Sequence, residues 1–278
     1  MNASAKPAAP MRRRSQFNGA AAAFAVYVCI FMVFLFLPIG VVVYASFSSV
    51  DYIAFPIKGF SWQWYRHVFE YAPFMQSLKV SIQIALGSAL LSVVFGVPAA
   101  LWAARSNTTA ANWVSVFLLS PLSVPAIVLG FSLLYLLSWM GLGVSFISLL
   151  ITHTVVSIPY LARTVLAVYR AVPPDTEEAA SVLGASRWNT FWHVTLPTIN
   201  PGIFAGAMFA VLISLDNLPL SFFFGSSDTN TLPVVMLSYM QNQFDPSIAA
   251  ISTIQMLIAL VSLLIVNALY GIDKLTAA

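Results

Sequence analysis

Apolar residues along this chain come in long, unbroken runs. Six runs meet the roughly 20 residues a helix needs to cross a bilayer. They are about Ala20–Ala45, Val80–Ala104, Trp113–Met140, Val144–Ala162, Ile203–Gly225 and Ile248–Tyr270. The strict alternation of a β-barrel strand is absent, so each run predicts a helix. Polar positions gather between the runs, and two connections, 47–79 and 170–197, are longer than a turn requires. The pattern predicts an all-α polytopic membrane protein with six transmembrane helices. Residues 17–278 form one transmembrane domain, and the small, polar and basic residues 1–16 are expected to be a disordered cytoplasmic tail.

Composition agrees with the pattern. Charged residues are 8 % of the chain, against about 25 % in a soluble domain, and hydrophobic residues are 60 %. That leaves too little polar surface for a cytosolic enzyme, a disordered linker or a nucleic-acid-binding domain. The placement of the cations gives orientation. With the N-terminus in the cytoplasm, Lys6, Arg12, Arg13, Arg14, Arg105, Arg163, Arg170, Arg187 and Lys274 lie inside, and Lys58, Arg66 and Lys79 outside. An even number of spans returns the C-terminus to the cytoplasm, which predicts a multi-pass protein of the cell inner membrane. The first run is far longer than the ~7–15 residues of a signal peptide core, so it reads as a retained helix. Cys29 stands alone and excludes a disulfide framework.

The first outer connection carries Trp62, Trp64, Tyr65, Phe69 and Tyr71, which suit a short helix at the headgroups; the alternative is a docking surface for a soluble partner. The inner connection 170–197 reads RAVPPDTEEAASVLGASRWNTFWHVTLP. Pro173 and Pro174 break the preceding helix, Asp175 and Glu178 have capping-box spacing, and Gly184 suits a left-handed helix end. Ser186 can cap a second helix, which Pro197 is expected to stop. Two helices this short are marginal alone in water. They pack either on the protein's own helix ends or into a groove of a cytoplasmic partner.

This connection resembles the EAA motif of ABC importer permeases, through Glu178-Ala179-Ala180, Gly184, Val194 and Leu196-Pro197; Val194 replaces the motif's isoleucine. The remainder is similar to spermidine/putrescine-type permeases at Phe60-Ser61-Trp62-Gln63-Trp64-Tyr65, at Ser120-Pro121-Leu122-Ser123-Val124-Pro125 and at Ser214-Leu215-Asp216-Asn217, where Asn217 stands in place of a second acid. The resemblance implies the MetI-like permease fold. It also implies two permease chains forming the pathway, two cytoplasmic ATPase subunits on the EAA loops and a periplasmic solute-binding protein, with no cofactor. No G-x-x-x-x-G-K-[ST] occurs in the sequence, so energy must come from another subunit.

The polar residues within the runs are the pathway candidates. Asp216 is an acid in the fifth run, and an acid at such depth costs about 2.5–3.5 kcal/mol on insertion scales. It reads either as a site for a cationic solute group or as a structural hydrogen bond to a neighbouring helix. Asn217 follows it. His153 lies near the middle of the fourth run, Tyr160 follows Pro159, and Ser120 precedes the Pro121–Pro125 interruption. Broken helices near the midplane suit transport pathways, but serines also re-satisfy freed backbone. His67, His153 and His193 fall in different compartments, so no metal triad is expected, and H-E-x-x-H and G-x-S-x-G are absent. The expected function is therefore a non-enzymatic permease subunit for a small solute, a polyamine by resemblance. The alternatives are an aminophosphonate, an opine-like conjugate or ferric iron, or else an ion-coupled secondary transporter.

Overall fold

The computed structural model describes residues 19–270. The elements are α1 (Gly19–Ala45), α2 (Gln63–Glu70), α3 (Ala72–Arg105), α4 (Thr109–Leu119), α5 (Ala126–Trp139), α6 (Phe146–Ala171), α7 (Asp175–Val182), α8 (Arg187–Thr190), α9 (Leu196–Leu215), α10 (Leu218–Ser221), α11 (Leu232–Asn242) and α12 (Ser247–Tyr270). Among the described residues the extended structure is an isolated bridge between Ser48 and Phe60. Five helical stretches are long and apolar enough to cross a membrane, and a bent pair makes a sixth. The expected tail 1–16 and the C-terminal Lys274 lie outside the described residues.

The core is the triple of α3, α6 and α9. Each presents small residues at helical spacing. On α3 the buried positions include Ser81, Ala85, Ser88, Ala89, Ser92 and Gly96; on α9 they include Gly202, Gly206 and Ala210. In lipid, helices gain little from hydrophobic exclusion and associate by close packing, which small residues permit. A Cβ at Gly206 would lie 2.9 Å from Leu161 Cα, so only glycine admits this approach of α9 to α6. By contrast α1 is apolar all round and stands almost free of the bundle. Such a surface suits lipid.

At the far end from the inner connection, α2 inserts Trp64 and Val68, at i and i+4, against Phe74, Leu232, Tyr239 and Ile251. The Trp64 indole N–H donates to Ser48 O at 2.8 Å. Tyr239 donates its hydroxyl to Asp245 Oδ2 at 2.6 Å, and Asp245 Oδ1 accepts the Ser247 N–H that opens α12. Burial first, then the Asp245 bond, push the Tyr239 hydroxyl up to about 12, so it stays a donor at any physiological pH.

Several boundaries differ from the sequence expectation. The third run does not cross as one rod: α4 and α5 meet at 110° across a 3₁₀ turn, Ser120–Ser123. Pro121 and Pro125 both lack the N–H a continuous helix needs. The second and fourth runs extend to α3 and α6, which start or finish beyond the apolar stretch. The fifth run shifts toward the inner side. Pro197 does not stop a helix; it occupies the first turn of α9, reached from α8 through a π-helical turn, Phe191–Thr195. In that wide turn Leu196 N–H reaches back to Phe191 O, and a proline in the next position has no donor to lose. The Asp175–Glu178 capping box does not form. Pro174 starts α7 instead, and its carbonyl accepts from both Glu177 and Glu178 N–H. Gly184 at φ +85° and Ser186 accepting from Asn189 N–H adopt the turn and cap expected of them.

The glycine contact has a direct check. Gly206→Leu should lower stability by about 1–3 kcal/mol through overpacking, read as thermal unfolding in detergent. Gly40→Leu on α1, with nothing within 4 Å, should leave the transition unchanged.

Candidate functional site

The 3₁₀ turn between α4 and α5, the middle of α6 and the end of α9 enclose a cavity of about 540 Å³. Its wall includes Pro121, Leu122, Tyr160, Ile213, Asp216 and Asn217. Asp216 is the one charged residue on it. The same side chain also borders a second cavity, of about 450 Å³, lined by Met236, Ser252, Gln255 and Met256. Asp216 thus stands between two open spaces and is exposed to both.

Its position follows from a broken helix. α9 ends at Leu215, Asp216 takes the C-cap, and α10 begins two residues later. Pro219 in the first turn of α10 cannot continue α9's ladder. Two side chains satisfy the freed backbone: Asn217 Oδ1 accepts from Leu220 N–H at 3.3 Å, and Gln255 donates to Leu215 O at 3.4 Å. Asn217 therefore borders the cavity with its carbonyl oxygen already committed. Asp216 therefore sits at a break in the fifth apolar run, three residues before Pro219.

His153 is not on the cavity wall. It is almost fully buried, with Nδ1 2.7 Å from Ser214 Oγ and Nε2 3.0 Å from Ser221 Oγ. One ring thereby bridges both sides of the α9–α10 break. Ser120 also lies off the wall, and donates to Phe117 O at 2.8 Å. Of the five pathway candidates the structure brings together Tyr160, Asp216 and Asn217.

The inner connection is a hairpin of α7 and α8 around Gly184. Glu178, Ala179 and Gly184 are exposed, and Val182, Leu183 and Trp188 project with exposures of 87 %, 88 % and 67 %. Val194, Leu196 and Pro197 lie in the π turn and the start of α9. The preceding acid, Glu177, has tertiary contacts that its place in the first turn of α7 does not announce. Its Oε1 accepts from Tyr169 at 2.8 Å and from Thr195 at 2.6 Å, and its Oε2 lies 3.4 Å from Arg105 Nε. Arg105 stacks over the Tyr169 ring at 4.2 Å and donates to Val172 O at 3.2 Å. The available signal was two adjacent acids in one helix turn, one more than the motif uses.

The family described as binding-protein-dependent transport system inner membrane component matches residues 96–272. The chain is 30 % identical over 227 residues to the spermidine/putrescine transport system permease protein PotC of Haemophilus influenzae, covering 82 % of this chain and 88 % of that protein. It is 27 % identical over 241 residues to PotC of Escherichia coli, covering 87 % and 90 %. To the molybdenum transport system permease protein ModB of Mycobacterium tuberculosis it is 32 % identical over 205 residues, covering 68 % and 76 %. A crystal structure of a bacterial ABC transporter involved in the import of the acidic polysaccharide alginate superposes with a TM-score of 0.65 at 19 % identity, over 90 % of this chain and 94 % of that one. At that identity the likeness is one of fold.

His153→Leu should destabilise the protein by about 1–3 kcal/mol, because two buried hydroxyls lose their partner and fall back on their own helix carbonyls. Chemical unfolding in detergent micelles checks this.

Proposed function

We propose how the work is divided within this chain, which belongs to the family of binding-protein-dependent transport system inner membrane components. The chain is a multi-pass permease subunit of an ABC importer. Its solute is a small organic cation of the polyamine type. One observation carries this: Asp216 is the single charge on the walls of both cavities, with no lysine or arginine beside it. A carboxylate in a partly dehydrated cavity attracts an ammonium group and repels an anion, and the Tyr160 ring, also on the first cavity's wall, can contact the cation's methylenes or face. The names of the PotC relatives support the same reading.

Energy enters from the inner side. Two cytoplasmic ATPase subunits dock on two permease chains, and in this chain the docking element is the hairpin of Glu178, Ala179, Ala180 and Gly184. Exposed Val182, Leu183 and Trp188 fill a groove in the partner, while Glu178 offers a charge at its rim. Val194, Leu196 and Pro197 carry the movement into α9. A periplasmic binding protein delivers the solute to the opposite face, and both termini are cytoplasmic.

In vesicles holding the complete complex, Asp216→Asn should reduce uptake of labelled spermidine at least tenfold. That matches the loss of one charged hydrogen bond of about 1.5–3 kcal/mol, and assembly should be unchanged. Equal loss of assembled complex, or wild-type uptake of molybdate in place of spermidine, would overturn the cation reading. Glu178→Lys should separate ATP hydrolysis from uptake, and Gly184→Asp should do the same, because φ +85° disfavours any side chain there. Wild-type uptake in both variants would remove the hairpin from the coupling path.

A further inference from the structure

The hairpin is held to the membrane bundle in an uneven way. No residue of α7 is buried, and its more extensive backbone neighbours are α8 and the π turn. A push on such an element would be absorbed by its flexible connections unless something stiff joined it to the bundle. One carboxylate provides that join. Glu177 contacts Arg105 at the end of α3, Tyr169 near the end of α6 and Thr195 immediately before α9. These are the three helices of the core. The side chains of Arg105 and Glu177 are 26 % and 23 % exposed, so their ion pair is partly shielded from water, while Tyr169 and Thr195 supply the charge-assisted hydrogen bonds.

Two of the three helices lead straight to the Asp216 cavity. Tyr160 is nine residues, about 14 Å of helix, from Tyr169 along α6. Asp216 is 21 residues, about 32 Å, from Thr195 along α9. Both helices pack closely on each other and on α3. A displacement delivered at Glu177 therefore has a packed path to both Tyr160 and Asp216 on the cavity wall.

We propose that Glu177 is the positioning residue that transmits movement of the hairpin to the core helices, a role distinct from that of the docking acid Glu178. The inference rests on the reading of the hairpin as the ATPase dock. Glu177 binds no ATPase and touches no solute; it fixes the hairpin to three helix ends at once.

The test uses the complete complex in lipid nanodiscs, with Cys29→Ser removing the native thiol and Leu129→Cys placed on the cavity wall as reporter. The measurement is the change in maleimide labelling of that cysteine on adding ATP and vanadate, alongside co-purification of the ATPase subunit. In Glu177→Ala the nucleotide-dependent change should fall at least fivefold while the ATPase still co-purifies. Glu177→Gln keeps an acceptor for Tyr169 and Thr195 and should retain at least half of the change. Arg105→Gln should show a partial loss, and it carries the test if Glu177→Ala does not yield folded protein. A full nucleotide response in Glu177→Ala and Arg105→Gln overturns the inference. So does loss of the ATPase from Glu177→Ala, since the residue would then be a docking contact. A reporter that ignores nucleotide without any change at 177 or 105, in a complex that holds no ATPase, overturns the docking reading itself and the inference with it.

Discussion

Inside a bilayer every backbone N–H and C=O must find a partner within the protein, and the structure is organised around where this chain breaks that rule's simplest solution. A continuous helix satisfies it without help. The chain departs from continuity twice at membrane depth, at Ser120–Pro125 and at Asp216–Asn217. Each departure comes with polar side chains that repair it: Ser120 on Phe117 O, Asn217 on Leu220 N–H, and Gln255 on Leu215 O. The two repaired breaks face each other across one cavity. The site exists because helix ends, not helix sides, meet there, and an acid at a helix end can point into open space without unpairing a ladder.

The rest of the bundle supplies rigidity. Glycine, alanine and serine on α3, α6 and α9 draw three long helices close, and His153 ties the end of α9 to the end of α10 from the α6 side. Charge is used sparingly. One carboxylate marks the cavity, and another gathers three helix ends at the inner face. Between these two acids run α9 and α6, so two long, mutually packed helices join the hairpin end of the fold to the cavity end.

Much of this was legible in the sequence. The length and purity of the apolar runs announced helices in lipid, and the EAA spacing located the hairpin. Gly184 and Ser186 behave as their chemistry requires. The misreadings share a cause. Pro197 as a stop and Asp175 as a cap are local rules, and each yielded to a neighbour: the π turn gave the proline a place without a donor, and Pro174 had already preset the helix start. Pro219 signalled a kink just after Asp216, but a full break there needed knowledge that Gln255 from α12 could reach Leu215 O. The tertiary contacts of Glu177 were invisible because its partners lie 72, 8 and 18 residues away, at separations no motif records.

The π turn at Phe191–Thr195 carries one more residue per turn than the helix on either side. Since one residue of α-helix corresponds to about 100° of rotation, the turn sets α8 and α9 out of phase. The exposed Trp188 and the face that Gly202 and Gly206 press against α6 therefore follow different helical registers. The wide turn acts as a phase adjuster, giving two surfaces on what looks like a single rod separate directions.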